Sequence, residues 1–161
     1  MFRAILVPMD GSATAEGILP HVRALAQDHG TKLIFLRVAF ALAFPGADPT
    51  EAQIQKIGEA QEYIEKIRRT FQAEGMEAKA AVRYGFPAEE ILAHARREKV
   101  DLIAMATHGR SGPARWMLGS VAEEVLRKAD VPVLLFRVGR DPAQKARAGI
   151  SSKPEEGRIA Q

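Results

Sequence analysis

The sequence predicts a doubly wound α/β domain: a five-stranded, mainly parallel sheet with helices on both faces. Three observations lead there. Short apolar runs rich in Val, Ile and Leu recur along the chain, separated by longer segments with helical spacing. Those runs are nearly continuous in apolar character, as expected of parallel strands covered on both sides. The resulting alternation βαβαβαβαβ fits strands joined by right-handed crossovers. The expected strand order is 3-2-1-4-5.

Each element has its own signal. "FRAILVPM" (2–9) reads as the first buried strand, and "DGSATAEG" as a turn and helix start. Ser12 or Thr14 is suited to cap that helix, and Glu16 to sit in its first turn. Ile18, Leu19, Val22, Leu25 and Ala26 recur at helical spacing, Pro20 comes early, and Gly30 is the expected residue just past the helix end. "KLIFLRV" (32–38) is the second strand, and "AFALAFPGADP" (39–49) a long connection. Thr50 and Gln53 form a capping box, and the helix that follows runs to about Glu74. Ile54, Ile57, Ile64, Ile67 and Phe71 make its apolar stripe, and Gly75 stops it. "EAKAAVRYG" (77–85) alternates more and reads as an outer strand. "FPAEEILAHARREK" is a short helix with Pro87 near its first turn. "VDLIAMA" (100–106) is the fourth strand, a helix ends at about Lys128, and "DVPVLLFRV" (130–138) is the last strand.

The chain has 161 residues, the length of one domain, expected to span 1–139. Residues 140–161 are polar and short of large apolar side chains, and are expected to form a flexible, mildly basic tail. There is no cysteine, which excludes disulfides and thiolate metal sites. The net charge is +3, and its placement matters. Residues 1–136 carry 17 basic and 17 acidic residues, so the excess lies wholly beyond them. A neutral body without a clustered basic face argues against nucleic-acid binding. No run approaches the ~20 apolar residues of a membrane span. The amino terminus lacks the pattern of a signal peptide, so a cytoplasmic location is expected. His21, His29 and His94 lie in helical patterns without metal-ligand spacing.

In an open parallel sheet, ligands bind beyond the carboxyl ends of the strands, at the topological switch point. Three segments should meet there: "PMDGS" after the first strand, "VAF" after the second, and "MATHGRSGPARWMLGS" (105–120) at the fourth. In the last of these, Gly109 and Gly112 bring bare backbone close to a ligand. "LGSVAEE" adds a glycine and a hydroxyl at a helix start, where free N–H groups favour an anion such as phosphate. On spacing alone, a glycine-rich loop that merely turns the chain explains it equally well. The chain has no Walker-type G-x-x-x-x-G-K-[ST], no G-x-G-x-x-G after the first strand and no G-x-S-x-G elbow. His108 has no evident catalytic partner, and Trp116, Met117 and Leu118 are expected to anchor the loop onto the core.

"ILVPMDGS" near the start and "ATHGRSGPARWMLGSVAEEVLRKADVPVLLFR" near the end resemble the universal stress protein family, over about residues 2–138. The nucleotide-binding branch of that family carries G-x-x-G-x9-G-[ST]. Here Gly109 is followed by nine residues, Arg110 to Leu118, and then by Gly119 and Ser120. The first glycine of the pattern falls on Ala106, a departure. The resemblance implies a dimeric, nucleotide-responsive stress or signalling module that binds ATP or AMP, with Mg²⁺ accompanying ATP. It implies that Asp10 approaches the ribose hydroxyls and that Val38 offers backbone groups to the adenine edge. Gly109, Gly119, Ser120 and the amide of Val121 would hold phosphates, with Arg110 adding charge. Pro8, Met105 and Ala106 complete the expected nucleotide-binding set. It also implies a homodimer paired through the last strand, 132–138, and a protein partner that the sequence does not name. No efficient enzyme is expected, at most slow ATP hydrolysis. Two alternatives stand beside this reading: a non-nucleotide-binding interaction module, which Ala106 favours, and an adenylating or phosphate-transferring enzyme, which the absence of lysine between Met105 and Ser120 disfavours.

Overall fold

Parallel strands β1 (Ala4–Met9), β2 (Lys32–Ala39), β3 (Ala78–Tyr84), β4 (Leu102–His108) and β5 (Val133–Val138) form one sheet in the order β3-β2-β1-β4-β5. The structure is a computed structural model that describes residues 2–27, 30–40, 49–108 and 119–138. The connection 41–48, the loop 109–118 and the expected tail 140–161 lie outside the described residues.

Strand alternation sends successive side chains to opposite faces, and two cores result. On one face Ile5, Val7, Leu33 and Phe35 pack under α1 (Ala13–Glu16), α2 (Leu19–Ala26) and α3 (Pro49–Ala73). On the other, Leu6, Ile34, Leu36 and Ile103 pack under α4 (Pro87–Glu98) and α5 (Ser120–Lys128). β1 and β2 stay in register from Ala4↔Lys32 to Met9↔Arg37. β1 and β4 pair only at Ile5↔Leu102 and Leu6↔Ile103, so they part toward their carboxyl ends. That parting opens the switch point. Among the described residues no helix is long and apolar enough to cross a membrane.

Several local expectations are corrected. The segment after β1 forms two helices, not one. Gly17 N–H closes α1 onto the carbonyls of Ala13 and Thr14, and Pro20, which has no N–H to continue that ladder, sits in the first turn of α2, where none is needed. Ser12, rather than Thr14, is the cap: its side chain accepts from Ala15 N. α2 ends at Ala26 with Gln27 as its cap, and Gly30, at φ 61°, instead takes the turn into β2. α3 starts at Pro49, so Thr50 lies in its first turn and not at the cap; a fixed proline φ suits that first position.

Of the α3 stripe only Ile64, Ile67 and Phe71 are buried, with Ala60 beside them, while Ile54 is 67% exposed. A 25-residue helix is roughly 37 Å long, against roughly 26 Å for an eight-residue strand, so α3 outruns the sheet. Gly75, at φ 83°, does end α3: Met76 N–H returns to Phe71 O and Gly75 N–H to Gln72 O, the paired bonds of a Schellman stop. β1 and β4 each begin two residues later than the apolar runs suggest. The amides of Arg3 and Ala4 bind the Asp101 carboxylate instead of joining a ladder.

Candidate functional site

Where β1 and β4 diverge, their ends, the end of β2 and the first turn of α5 surround a cleft of about 260 Å³. Pro8, Asp10, Val38, Met105, Ala106, Gly119, Ser120 and Val121 all line it. The expected partners Gly109 and Arg110, and the anchor residues Trp116, Met117 and Leu118, lie outside the described residues.

The β1 wall is held by its own side chains. Asp10 Oδ1 accepts from Ser12 N–H at 2.8 Å, and Ser12 Oγ accepts from Ala15 N–H at 3.0 Å. Gly11, at φ 82°, makes the turn that L side chains disfavour. Asp10 is exposed, and Oδ2, which accepts no hydrogen bond among the described residues, is the oxygen left for a ligand donor.

The opposite wall is arranged differently. Gly119 is the N-cap of α5 and makes no side-chain capping bond. Its φ of −57° is ordinary, and among the described residues nothing stands within 4 Å of where a Cβ would be. The backbone therefore does not require glycine here; what glycine provides is room. Ser120 is exposed beside it. The opening amides of a nine-residue helix and the positive end of its dipole thus face the cleft without a protein acceptor among the described residues.

Ala106 lies within β4, paired with Phe136, and has no positive φ. A glycine is not needed there for backbone reasons, and the alanine methyl packs against the α1–α3 core.

Arg37 is the residue that the sequence reading missed. It lines the cleft from β2, and its guanidinium donates to Val38 O at 3.1 Å. The signal was a lone charge inside "KLIFLRV", one position before Val38. Among the described lining residues Asp10 is the one carboxylate and Arg37 the one cation. Thr14, Pro87, Ile91 and Thr107 also line the cleft and could not be found from motifs.

No group of three or more His, Asp or Glu side chains capable of holding a metal occurs among the described residues. Mg²⁺ at this site would have to be held mainly by ligand phosphates. His21 stacks on Phe136 at 4.7 Å and is a packing residue. His29 lies outside the described residues, as does the side chain of His108.

Comparison with known proteins gives a consistent picture. The model of the universal stress protein family matches residues 1–137. A universal stress protein of Methanocaldococcus jannaschii, MJ0531, is 31% identical over 142 residues, covering 85% of this chain and 83% of that one. The solved structure of hypothetical protein MJ0577 superposes with a TM-score of 0.74 at 32% identity, covering 88% of this chain and 99% of that one. A universal stress protein of Archaeoglobus fulgidus in complex with dAMP shares the fold, with a TM-score of 0.61 at 21% identity, covering 84% and 97% of the two chains. Another, in complex with cAMP, has a TM-score of 0.65 at 19% identity, covering 86% and 99%.

Proposed function

The chain belongs to the universal stress protein family, and from that premise we propose that its strand-end cleft binds an adenine nucleotide, ATP or AMP. The observation that carries the reading is Gly119. A helix opens into the cleft through a residue that needs no special φ, has no side chain and leaves the first turn uncapped among the described residues. Phosphate is the chemistry that such an end attracts. Asp10 then accepts from the ribose hydroxyls, the backbone of Val38 reads the base edge, and Ser120 and Val121 contact phosphate. Gly109 and Arg110 join them from the loop. The nucleotide complexes of two fold relatives support the same ligand class.

The protein acts through shape change or partner binding in the cytoplasm rather than as an efficient enzyme. It works as a homodimer through β5, an edge strand whose Leu134, Leu135 and Phe136 are only half-buried. Leu135→Lys shifts the mass in solution toward monomer; a monomeric parent at micromolar concentration refutes the dimer.

Mass spectrometry of the purified, denatured protein tests the ligand, followed by calorimetric titration of stripped protein with ATP or AMP, with and without Mg²⁺. Released or saturably bound adenine nucleotide supports the reading. A folded, stripped protein that binds neither hands the case to the interaction-module alternative, for which Ala106 is the sequence argument.

A further inference from the structure

A second hollow, of about 280 Å³, opens at the β3 edge, between β3 and α4. Leu33 N–H donates to Glu77 O and Gly85 N–H to Ala39 O, so odd-numbered residues of β3 turn their peptide groups toward β2. Ala80 and Val82 therefore turn theirs to the open side. Both line the hollow, together with Lys79, Arg83, His94 and Glu98.

His94 is only 2% exposed. Its Nδ1 accepts from Arg83 Nε at 3.4 Å and also contacts the Arg97 guanidinium. Arginine only donates, so Nδ1 is the acceptor and the ring proton sits on Nε2. Nε2 is buried and has no hydrogen-bond partner among the described residues. Among the described residues neither Arg83 nor Arg97 has a carboxylate within 4 Å. The acid at the hollow, Glu98, is taken by Lys79 at 3.1 Å.

Two guanidinium groups thus meet at one neutral nitrogen and repel one another. In proteins such groups converge on oxyanions, whose geometry matches their planar forks. Burial, then Arg97 and Arg83, with a smaller push from Lys79, lower the His94 pKa to about 4 against the opposing pull of Glu98. The imidazole is neutral at pH 7, and the two arginines that meet at it carry charge that no carboxylate among the described residues pairs.

We propose that the β3–α4 hollow is a second binding site, for a phosphate-type oxyanion held by the Arg83 guanidinium in its lining and by that of Arg97, which reaches the lining residue His94 from α4, with Lys79 at its rim. It is independent of the nucleotide reading and shares no lining residue with the strand-end cleft.

The test is an NMR titration of the histidine imidazole signals of the full chain with inorganic phosphate, against chloride at equal ionic strength. The expected result is a saturable shift of the His94 signals and a rise in the His94 pKa, because a bound anion favours the imidazolium. Arg97→Gln, at an exposed position that the fold tolerates, weakens the response about tenfold, the loss of one charge-assisted hydrogen bond. Arg83→Gln weakens it further, and Gly119→Val leaves it intact. A stronger response to phenyl phosphate assigns the site to a phosphate monoester, and a stronger one to inorganic phosphate assigns it to the free ion. The proposal is overturned by the absence of a saturable His94 shift, by an undiminished shift in Arg97→Gln, or by a shift that disappears in Gly119→Val.

Discussion

The two strand-to-helix junctions that face each other across the cleft solve the same problem in opposite ways. Every helix start leaves backbone donors without partners. After β1, Asp10 and Ser12 answer that need from within the chain, one side chain bonding Ser12 N–H and the other Ala15 N–H. Before α5, Gly119 supplies no side-chain acceptor. The first junction is finished by the fold alone. The second has no side-chain cap among the described residues, and on the proposed reading that asymmetry would put phosphate on the α5 side and ribose on the Asp10 side.

The comparison is broken most completely by Gly119→Val. Its β-branched side chain enters space that is empty among the described residues, and the φ of −57° accepts it. The expected outcome is no measurable ATP binding by calorimetry with an unchanged circular dichroism spectrum; equal binding by the folded variant removes α5 as the phosphate site. Ser120→Ala is milder. Losing one hydrogen bond to a charged group costs about 1.5–3 kcal/mol, about ten- to a hundredfold in ATP affinity. Ser12→Ala tests the other junction and is the smallest of the three. Its Oγ is committed to Ala15 N–H, so the loss is a cap, about 1 kcal/mol of stability and about 2–4 °C in the melting midpoint. ATP affinity should fall less than in Ser120→Ala. A Ser12→Ala variant with unchanged melting and a larger loss of affinity would reverse the roles assigned to the two junctions.

The strands were legible because parallel strands covered on both faces leave almost no polar interruption, and the sheet order follows the sequence expectation. What escaped depends on contacts or lengths that periodicity does not carry. A continuous helical pattern hid the break at Gly17, where a local hydrogen-bond choice and Pro20 restart the chain. The stripe from Ile54 to Phe71 is periodic throughout, yet its first part has no sheet beneath it. In the cleft, the readable residues were those that motifs mark. Arg37 was read only as part of a strand, because whether an arginine at a strand end meets a ligand depends on the neighbouring strand and not on its own neighbours. His94 was read only as part of a helical pattern, but its contact with Arg83 joins α4 to β3. No spacing rule announces that contact.

The short pairing of β1 with β4 divides the sheet into two rafts, β3-β2-β1 and β4-β5, joined along a seam. The lower end of that seam is fastened by Asp101. Its carboxylate takes the amides of Arg3 at 2.9 Å and Ala4 at 3.0 Å, and its own amide returns to Ala4 O. Burial raises the Asp101 pKa, but these amides together outweigh it and leave the value below the usual carboxylate range. The fastening is therefore complete above the ordinary carboxylate pKa and is lost as pH falls through the lowered one. At the upper end no ladder pairs β1 with β4, and the rafts are bridged there by packing, His21 of α2 stacking on Phe136 of β5. On the proposed reading a nucleotide reaching from Asp10 to Ser120 would add a further tie between the rafts, while acid unfastens the opposite end. Amide hydrogen exchange along β4 would then be the property on which pH and ligand act in opposition.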